Sequence, residues 1–252
     1  MGSLASLRPL CKGVDALVLN GDTTDTRQGP QPEFTARCRA EALEFAASAG
    51  APVTLVTGNH DPDISGIHFL DLAAGKVFVI HGDILFDSIV PWGRDSALIR
   101  RQIREAVGAV PAPERHRLED RMEVFRRVAA GIRQRHQSER HPLKYALRLA
   151  TDTLLPPGSG FSMIRAWWVM PRRAAALAAR HRPAARFVIA GHTHRPGVWR
   201  RPNAATVINT GSFTRPFGAL LVDVSPDRLV VRRVVRRGGE FHPGREEASF
   251  AL

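Results

Sequence analysis

The stretch VTLVTGNHDPD, residues 53–63, ends an apolar run at Gly58 and continues with Asn59, His60 and Asp61. These three residue types are common in turns and at helix caps, and they also bind metal ions or help to bind them. One turn of this kind does not separate the two roles. The distinction depends on whether other turns of the chain carry the same chemistry.

Three other apolar runs of the chain also end in residues that can bind metal. These residues are Asp22 after DALVLNG, His81 after KVFVI, and His192 and His194 after RFVIAG. Each one alone has an ordinary explanation, as a turn residue or a partly buried histidine. Together with Asn59 they make a carboxylate, an amide oxygen and three imidazoles, a donor set that suits Mn, Fe, Zn or similar ions.

The runs that carry these residues predict buried strands, because they are short and rich in β-branched residues. The predicted strands cover residues 15–20, 52–57, 76–80, 186–190, 205–212, 218–224 and 228–235, with a hairpin turn at 225–227. Apolar side chains at helical spacing predict a helix over 32–50, between the first two strands. The resulting strand–helix–strand order indicates a parallel sheet, and parallel sheets bind ligands at the carboxyl ends of their strands.

The segment 94–182 differs from the rest, since it is Arg-rich and its apolar residues recur at helical spacing. One predicted face contains Leu118, Met122, Phe125, Ala129 and Ile132. A second stripe contains Met163, Trp167, Trp168 and Met170, which is typical of a core and also compatible with an apolar lid. Residues 156–160 are expected to form a loop, and the polar residues 237–252 a frayed tail.

Composition limits the class of protein. The chain has 252 residues, 44% of them hydrophobic, which is enough for a sizeable core in one domain. Its two cysteines, Cys11 and Cys38, are too few for a disulfide framework or a thiolate zinc site, and they favour a reducing compartment. The sequence contains neither a secretory signal nor an apolar run of eighteen residues, so the expected location is cytoplasmic, with peripheral contact at the inner face of the membrane left open.

The formal net charge is +12, and only three of the 36 basic residues are lysines. A basic surface attracts phosphorylated substrates, anionic lipid or nucleic acid. A coding bias toward arginine explains the same composition, and the sequence leaves both explanations open. In either case arginine binds phosphate well, because its planar fork contacts two oxygens at once.

Four motifs carry a resemblance to a known family. GD at 21–22, GNHD at 58–61, His81 and GHTH at 191–194 resemble, in order and approximate spacing, the signature of the calcineurin-like metallophosphoesterases, and NTGS at 209–212 is also similar. The resemblance covers the chain except its helical middle. It implies an α/β fold, a metallophosphoesterase-type β-sandwich flanked by helices, with residues 1–252 as one domain and 94–182 as an inserted helical lid.

The family resemblance also implies a ligand set for two divalent metal ions. Asp22 would bridge both ions, since a carboxylate has enough lone pairs for two cations. Asn59, His81 and His192 would complete one ion, and His194 would serve the other. Two ions about 3.5–4 Å apart clamp an attacking hydroxide and the phosphoryl oxygens together.

Two further residues receive roles from the resemblance. His60 would act in catalysis, by protonating the leaving oxygen or by stabilising phosphate charge, with a nearby carboxylate to orient it. Arg195, directly after the last histidine of the motif, would contact the phosphate of the substrate.

One motif of the family has no counterpart in the sequence. The family begins with Asp-x-His at the end of an earlier strand, whereas residues 1–21 contain Asp15 and no histidine. We therefore expect the chain to begin one strand late, through a wrong start or a truncation. One metal site would then be nearly complete and the other incomplete.

The substrate is the least determined feature. The helical insertion, with HGDILFD and GHTHRP, resembles the subgroup that contains the UDP-2,3-diacylglucosamine pyrophosphohydrolases, in which inserted helices cover an acyl-chain site. A phosphorylated small molecule or a lipid-linked substrate is therefore expected, and the sequence indicates no obligate protein partner.

Three functions are compatible with these observations. The first is a metallophosphoesterase that hydrolyses a phosphate ester or pyrophosphate bond with metal-activated hydroxide. The second is an inactive or weakly active remnant of the same fold that binds one metal. The third, a nuclease-type phosphodiesterase, ranks last because no basic groove with interleaved aromatic residues is evident.

Overall fold

The computed structural model describes residues 4–112, 114–134, 158–214 and 217–252. Within these ranges the chain forms a mixed α/β fold with ten strands. They are β1 Leu17–Asn20, β2 Val53–Val56, β3 Phe69–Leu72, β4 Val77–Ile80, β5 Phe187–Ala190, β6 Gly197–Trp199, β7 Thr206–Asn209, β8 Leu220–Val224, β9 Arg228–Arg237 and β10 Glu240–Ala251. The α-helices described are α1 Pro32–Ser48, α2 Ser96–Ala109, α3 Leu118–Gly131 and α4 Ser159–His181, and short 3-10 helices lie at Leu4–Cys11, Asp83–Leu85 and Glu114–His116.

Three groups of strands make up the β-structure of the described residues. Strands β1 and β2 pair in parallel, and the largest sheet has the order β3-β4-β5-β7-β6. Its central strands β4, β5 and β7 are parallel, so their carboxyl ends point to the same edge. Strands β8, β9 and β10 form an antiparallel sheet. The parallel arrangement predicted from the strand–helix–strand order is confirmed.

The five-stranded sheet is covered on both faces. One face packs against α2, α3 and α4 through a core that includes Phe78, Ile80, Met122 and Met170. The other face packs against β8–β10 through a core that includes Val77, Ile208 and Leu229. Burial on both faces explains why the central strands have continuous apolar sequences rather than alternating ones.

A third core joins the beginning of the chain to β1 and β2. Leu7 and Leu10 of the first 3-10 helix pack with Ala42 and Phe45 of α1 and with Leu55 of β2. The two parallel strands are linked to the larger sheet at their ends, where the Asn20 amide donates to the carbonyl of Ile80, 2.8 Å away. This link brings the end of β1 next to the end of β4.

The predicted helical middle is confirmed for the part that the structure describes. Leu118, Met122, Phe125 and Ala129 are buried on one face of α3, as their spacing predicts. The second stripe divides, because Met170 is buried whereas Trp168 is exposed. The expected loop at 156–160 lies partly outside the described residues, and α4 begins inside it at Ser159.

The prediction of a frayed tail at 237–252 is wrong. Residues 240–251 form β10, which pairs with β9 along its length and contains a register irregularity between Pro243 and Ala248. The prediction was wrong because polar sequences are typical of disordered tails, whereas this strand is polar because much of its surface is exposed. Its order depends on backbone pairing and on Phe241 and Phe250, which pack against Phe213 and Phe187.

Candidate metal centre

Four predicted ligands meet where β1, β2, β4 and β5 end. Donor atoms of Asp22, His81 and His192 lie within 4.8 Å of one another. The Asn59 amide oxygen adds a fourth donor, 3.3 Å from Nε2 of His81. Asn59, His81 and His192 are buried, and we call these four residues the donor cluster.

Both imidazoles of the donor cluster are oriented by backbone carbonyls. A carbonyl oxygen only accepts, so Nδ1–H of His81 donates to Asn20 at 3.0 Å and Nε2–H of His192 donates to Ile89 at 2.9 Å. The other nitrogen of His192, Nδ1, is buried without a hydrogen-bond partner. A fixed tautomer with a buried, unpartnered lone pair is what a metal ligand requires, so the donor cluster fits a divalent cation.

The backbone at the site is unusual. Asp22, His192 and His194 have φ values of 51°, 65° and 58°, in the left-handed region that side chains other than glycine rarely adopt. Ile89, whose carbonyl orients His192, has φ of 58° although it is β-branched. Strained backbone of this kind concentrates at functional sites, where it aims side chains that regular structure would point elsewhere.

Asp61 holds the loop that carries Asp22. Its carboxylate accepts backbone N–H groups from Gly58, Asp22 and Thr23 at 2.7–2.9 Å, and a longer one from Thr24 at 3.3 Å. The residue is fully buried. The sequence marks Asp61 only as a turn residue, and its structural role follows from the contact between two loops that lie 38 residues apart.

Two glycines permit the close approach of these loops. A Cβ atom at Gly58 would overlap the backbone nitrogen and carboxylate of Asp22, and one at Gly21 would overlap the ring of His81. Gly21 also has φ of 77°. Both positions therefore exclude any side chain while Asp22 and His81 keep their places.

The NTGS motif stabilises the loop that carries His192. The Asn209 amide donates to the Gly191 carbonyl at 2.6 Å and to the Thr193 hydroxyl at 2.9 Å, and its oxygen accepts from Gly211 at 2.8 Å. Asn209 is fully buried at the end of β7. The motif therefore acts through the loop rather than as a ligand.

The electrostatics of the donor cluster centre on Asp22 and His81. Burial lowers the pKa of His81, but the Asp22 carboxylate 3.3 Å away raises it more, to about 10. Burial raises the pKa of Asp22, but His81 and His60 hold it well below its usual value. Burial and the charge on His81 lower the pKa of His192 to about 3, so its imidazole is neutral at pH 7. Burial and Asp22 raise the pKa of Asp61 to about 6.

His60 lies beside the donor cluster in a different environment. Its backbone N–H donates to Oδ1 of Asp22 at 2.8 Å, while its side chain is 43% exposed. Nδ1 of the ring lies 2.8 Å from Oδ2 of Asp25 and 2.8 Å from Nη2 of Arg27. Arg27 binds Asp25 through two nitrogens, at 2.9 and 2.7 Å. We call Asp25, Arg27 and His60 the His60 group.

The His60 group is connected to the helical part of the chain. Gln134, three residues beyond α3, is buried, and its amide donates to the carbonyls of Asp25 and Arg27 at 3.2 and 2.9 Å. Its backbone N–H also donates to the carbonyl of Gln28 at 2.8 Å. The carboxylate that contacts His60 is that of Asp25, and the contacts of Arg27 and Gln134 were not anticipated from the sequence.

The last two predicted site residues, His194 and Arg195, are exposed at the surface beside the donor cluster. His194 is exposed, and it is outside the group of donors that lie within 4.8 Å of one another among the described residues. The Arg195 guanidinium lies 5.8 Å from the ring of Trp167 and 5.9 Å from that of Trp199. Trp167 is fixed in turn, because its Nε1–H donates to the Thr193 carbonyl at 2.9 Å.

None of the described helices has the length and apolar character needed to cross a membrane.

Comparisons with known proteins add a family match and several distant structural similarities. A family model described as calcineurin-like phosphoesterase matches residues 3–196. No curated protein matches the chain. A double mutant of Vps29 from Entamoeba histolytica is 12% identical with a TM-score of 0.44, and the match covers 99% of this chain and 89% of that one.

Two other solved structures are similar at the same level. A conserved protein from Streptococcus pneumoniae, described as a predicted phosphoesterase, is 14% identical with a TM-score of 0.34 and covers 95% of this chain and 83% of its own. A dimetal phosphatase from Danio rerio is 14% identical with a TM-score of 0.39 and covers 87% of this chain and 81% of its own.

Proposed function

Because the chain belongs to the calcineurin-like phosphoesterase family, we propose that it is a metal-dependent hydrolase of phosphate ester or pyrophosphate bonds. The donor cluster is the observation that carries the proposal. A carboxylate, an amide oxygen and two imidazoles converge in a buried position, and one imidazole nitrogen there has no partner. Such a site is costly to leave without a cation, since buried polar groups are normally satisfied.

Asp22, Asn59, His81 and His192 are the proposed ligands of the divalent cation. When bound, such a cation polarises phosphoryl oxygens and lowers the pKa of water toward neutrality. Two of the ligands are in the form that binds a cation at pH 7, since His192 is neutral and Asp22 is ionised, whereas His81 must release a proton. Backbone carbonyls aim both imidazoles, so little reorganisation is needed on binding.

His60 is the proposed catalytic residue. With Nδ1 held by the ionised Asp25, Nε2 is the nitrogen that remains for exchange of a proton with the leaving oxygen of a substrate. Burial raises the pKa of Asp25, but Arg27 and His60 lower it more, so the carboxylate is charged. The contact with Asp25 holds the ring in place, while its 43% exposed side chain remains open to a substrate.

Arg195 is the proposed contact for the phosphate of the substrate. Two indole rings lie within cation–π distance of its guanidinium, and this attraction favours positions of the side chain near them. A guanidinium restrained in this way loses less conformational entropy when it binds an anion. The net charge of +12 supports phosphorylated substrates in general, because it favours the approach of anions.

The number of metal ions divides the proposal into two forms. In the dinuclear form, His194 and Asp22 would hold a second ion. A mononuclear, weakly active form is the second candidate, because the described donors gather around one place and His194 is exposed outside it. Metal stoichiometry of the purified chain separates the two forms.

The test of the proposed function compares the wild type with Asp22→Asn and with Asp15→Asn, whose parent side chain is exposed and away from the cluster. Each protein is stripped with a chelator and reloaded with Mn²⁺ or Zn²⁺. Bound metal is measured by mass spectrometry, and turnover is measured on p-nitrophenyl phosphate, bis(p-nitrophenyl) phosphate and pyrophosphate.

We expect metal-dependent hydrolysis of at least one substrate by the wild type and by Asp15→Asn. Asp22→Asn should bind less metal and lose hydrolysis. Hydrolysis that survives complete chelation, or an Asp22→Asn protein that matches the wild type in both measurements, would contradict the proposal.

A further inference from the structure

The two faces of α4 have different surroundings. Its inward face contributes Ala166, Met170, Ala174 and Ala178 to the core beneath the five-stranded sheet. Small side chains there allow the helix to lie close to the sheet. The outward face of the first half of the helix carries large apolar side chains instead.

Three bulky apolar residues form a stripe on that outward face. Phe161 is 72% exposed, Ile164 is 48% exposed and Trp168 is 74% exposed. They are spaced by three and four residues, so they project from one side of the helix. Phe161 and Trp168 are the most exposed of the large hydrophobic residues that the structure describes. Clustered exposure of this kind marks an interaction surface more often than scattered single residues do.

The charged side chains of α4 itself have one sign. Helix α4 contains Arg165, Arg172, Arg173 and Arg180 and no acidic residue. Arg165 and Arg172 are exposed on the side that carries the stripe. A surface that combines large apolar side chains with arginines complements a surface that is apolar in its interior and anionic at its boundary.

We propose that the outward face of α4, formed by Phe161, Ile164 and Trp168 with Arg165 and Arg172, docks the protein on an anionic lipid bilayer. Phenylalanine and tryptophan enter the boundary between headgroups and acyl chains, and arginines next to them contact lipid phosphates. Helices that lie in the membrane surface combine the same two contributions, and anionic lipid strengthens their binding.

A second copy of the chain fits this face less well. In a symmetric dimer the same surface faces itself, so the arginines of both copies would lie near one another at the contact. Like charges brought together at an interface oppose association. An anionic bilayer neutralises these arginines while it accepts the apolar side chains.

Helix α4, which carries the docking face, also contacts the loop that carries His192. Trp167, the neighbour of Trp168 in the helix, donates its indole N–H to the carbonyl of Thr193, which lies between His192 and His194. A bilayer bound at Trp168 would therefore lie next to a residue that contacts the loop of His192. Together with the proposed function, this placement favours a phosphate ester or pyrophosphate carried by a lipid, although the docking itself does not depend on catalysis.

The experiment measures flotation of the full chain with vesicles in the absence of any substrate. One set of vesicles contains phosphatidylcholine alone, and the other contains phosphatidylcholine with phosphatidylglycerol. The variant Phe161→Ser/Trp168→Ser removes two apolar side chains, Arg165→Gln/Arg172→Gln removes two charges, and Leu43→Ser on α1 is the matched control, since Leu43 is 45% exposed.

We expect the wild type and Leu43→Ser to float with the anionic vesicles and to remain in solution with the neutral ones. Phe161→Ser/Trp168→Ser should bind the anionic vesicles at least about tenfold more weakly than the wild type, since burial of large apolar side chains is lost. Arg165→Gln/Arg172→Gln should show a weaker preference for anionic lipid than the wild type, and high salt should weaken binding of the wild type.

Several results would overturn the proposal. The wild type could fail to float with anionic vesicles, or Phe161→Ser/Trp168→Ser could float as well as the wild type. A dimer in sedimentation equilibrium that this double variant dissociates, without vesicle binding, would assign the face to self-association. Thermal unfolding of each variant confirms that it is folded, so a loss of binding is not confused with a loss of structure.

Discussion

The donor cluster and the His60 group are neighbours, yet different parts of the chain hold them in place. Backbone atoms position the donor cluster, through carbonyls that aim His81 and His192 and through the N–H groups that Asp61 collects. Side chains position the His60 group, through Asp25 and Arg27. The first region is mostly buried, whereas the ring of His60 is 43% exposed.

The difference indicates how each region responds to damage. A site fixed by backbone and burial has few alternative arrangements, so a disturbance of its geometry removes binding altogether. A half-exposed group held by side chains retains part of its function when one contact is lost, because the remaining contacts and water compensate. Substitutions in the two regions should therefore differ in kind and in size.

The largest effect is expected from Gly58→Ala. The added methyl group would overlap the Asp22 backbone and carboxylate, so Asp22 must move and bound metal and turnover should fall to background. Overpacking of this kind also costs about 1–3 kcal/mol of stability. Metal content by mass spectrometry and the melting temperature provide the measurements.

Gly66→Ala is the matched control for Gly58→Ala. Gly66 lies eight positions further along the chain, and a Cβ atom there would have nothing within 4 Å. Its metal content and turnover should match the wild type. Normal metal content in Gly58→Ala would show that the donor cluster adapts, and the contrast between the two regions would disappear.

The next largest effect is expected from His60→Ala. Loss of a general acid lowers turnover by roughly 10²–10⁴-fold, whereas the backbone N–H that orients Asp22 is retained. Bound metal should therefore stay at the wild-type level. His116→Ala, which removes an exposed histidine of the short helix at Glu114–His116, is the control. Metal loss in His60→Ala would place His60 within the donor cluster rather than beside it.

A moderate effect is expected from pH. The pKa of His81 is raised to about 10 by Asp22, so this imidazole is protonated at neutral pH and a cation must displace the proton. Metal affinity should therefore rise with pH, by up to about tenfold per unit between pH 6 and 9, with release of a proton. Competition with a chelating dye measures the affinity, and a weakly buffered titration measures the proton. Affinity that does not change over this range would show that His81 is not the displaced group.

The smallest effect is expected from Gln134→Leu, which removes the amide that donates to the carbonyls of Asp25 and Arg27. The His60 group should lose order, with turnover lowered about tenfold or less and metal content unchanged, since positioning alone contributes to rate. Gln102→Leu on the exposed side of α2 is the control.

A double variant distinguishes positioning from general damage. If Gln134 acts through His60, Gln134→Leu should add nothing to the loss already caused by His60→Ala, because coupled residues are not additive. A further loss of the same size in the His60→Ala background would mean that Gln134 acts by another route.

The donor cluster could be predicted from the sequence for a physical reason. Each of its residues follows a buried strand by one to three positions, and parallel strands bring their ends to one edge of a sheet. The apolar runs at 53–56, 77–80 and 187–190 indicated the strands, and the residues after them are the proposed ligands. Local pattern and topology were sufficient for this part of the site.

The rest of the site depends on contacts that no local pattern encodes. Gln134 meets the loop at Asp25 across more than one hundred residues, and a glutamine after a helix has no distinctive spacing. The exposure of Trp168 could not be predicted from the sequence either, since an aromatic residue at helical spacing is typical of a core. The pairing of β10 followed from its partner strand rather than from its own polar sequence.

The left-handed backbone conformation of Asp22, His192 and His194 lowers the stability of the fold while it positions side chains of the proposed site. Such conformations cost of order 1–3 kcal/mol each and add nothing to the hydrophobic core. Glycine would relieve the cost at these positions and would also remove the side chains on which the proposed chemistry depends. Selection for higher stability and selection for activity therefore favour different residues at these positions. Some variants selected for a higher melting temperature should bind metal less well than the wild type.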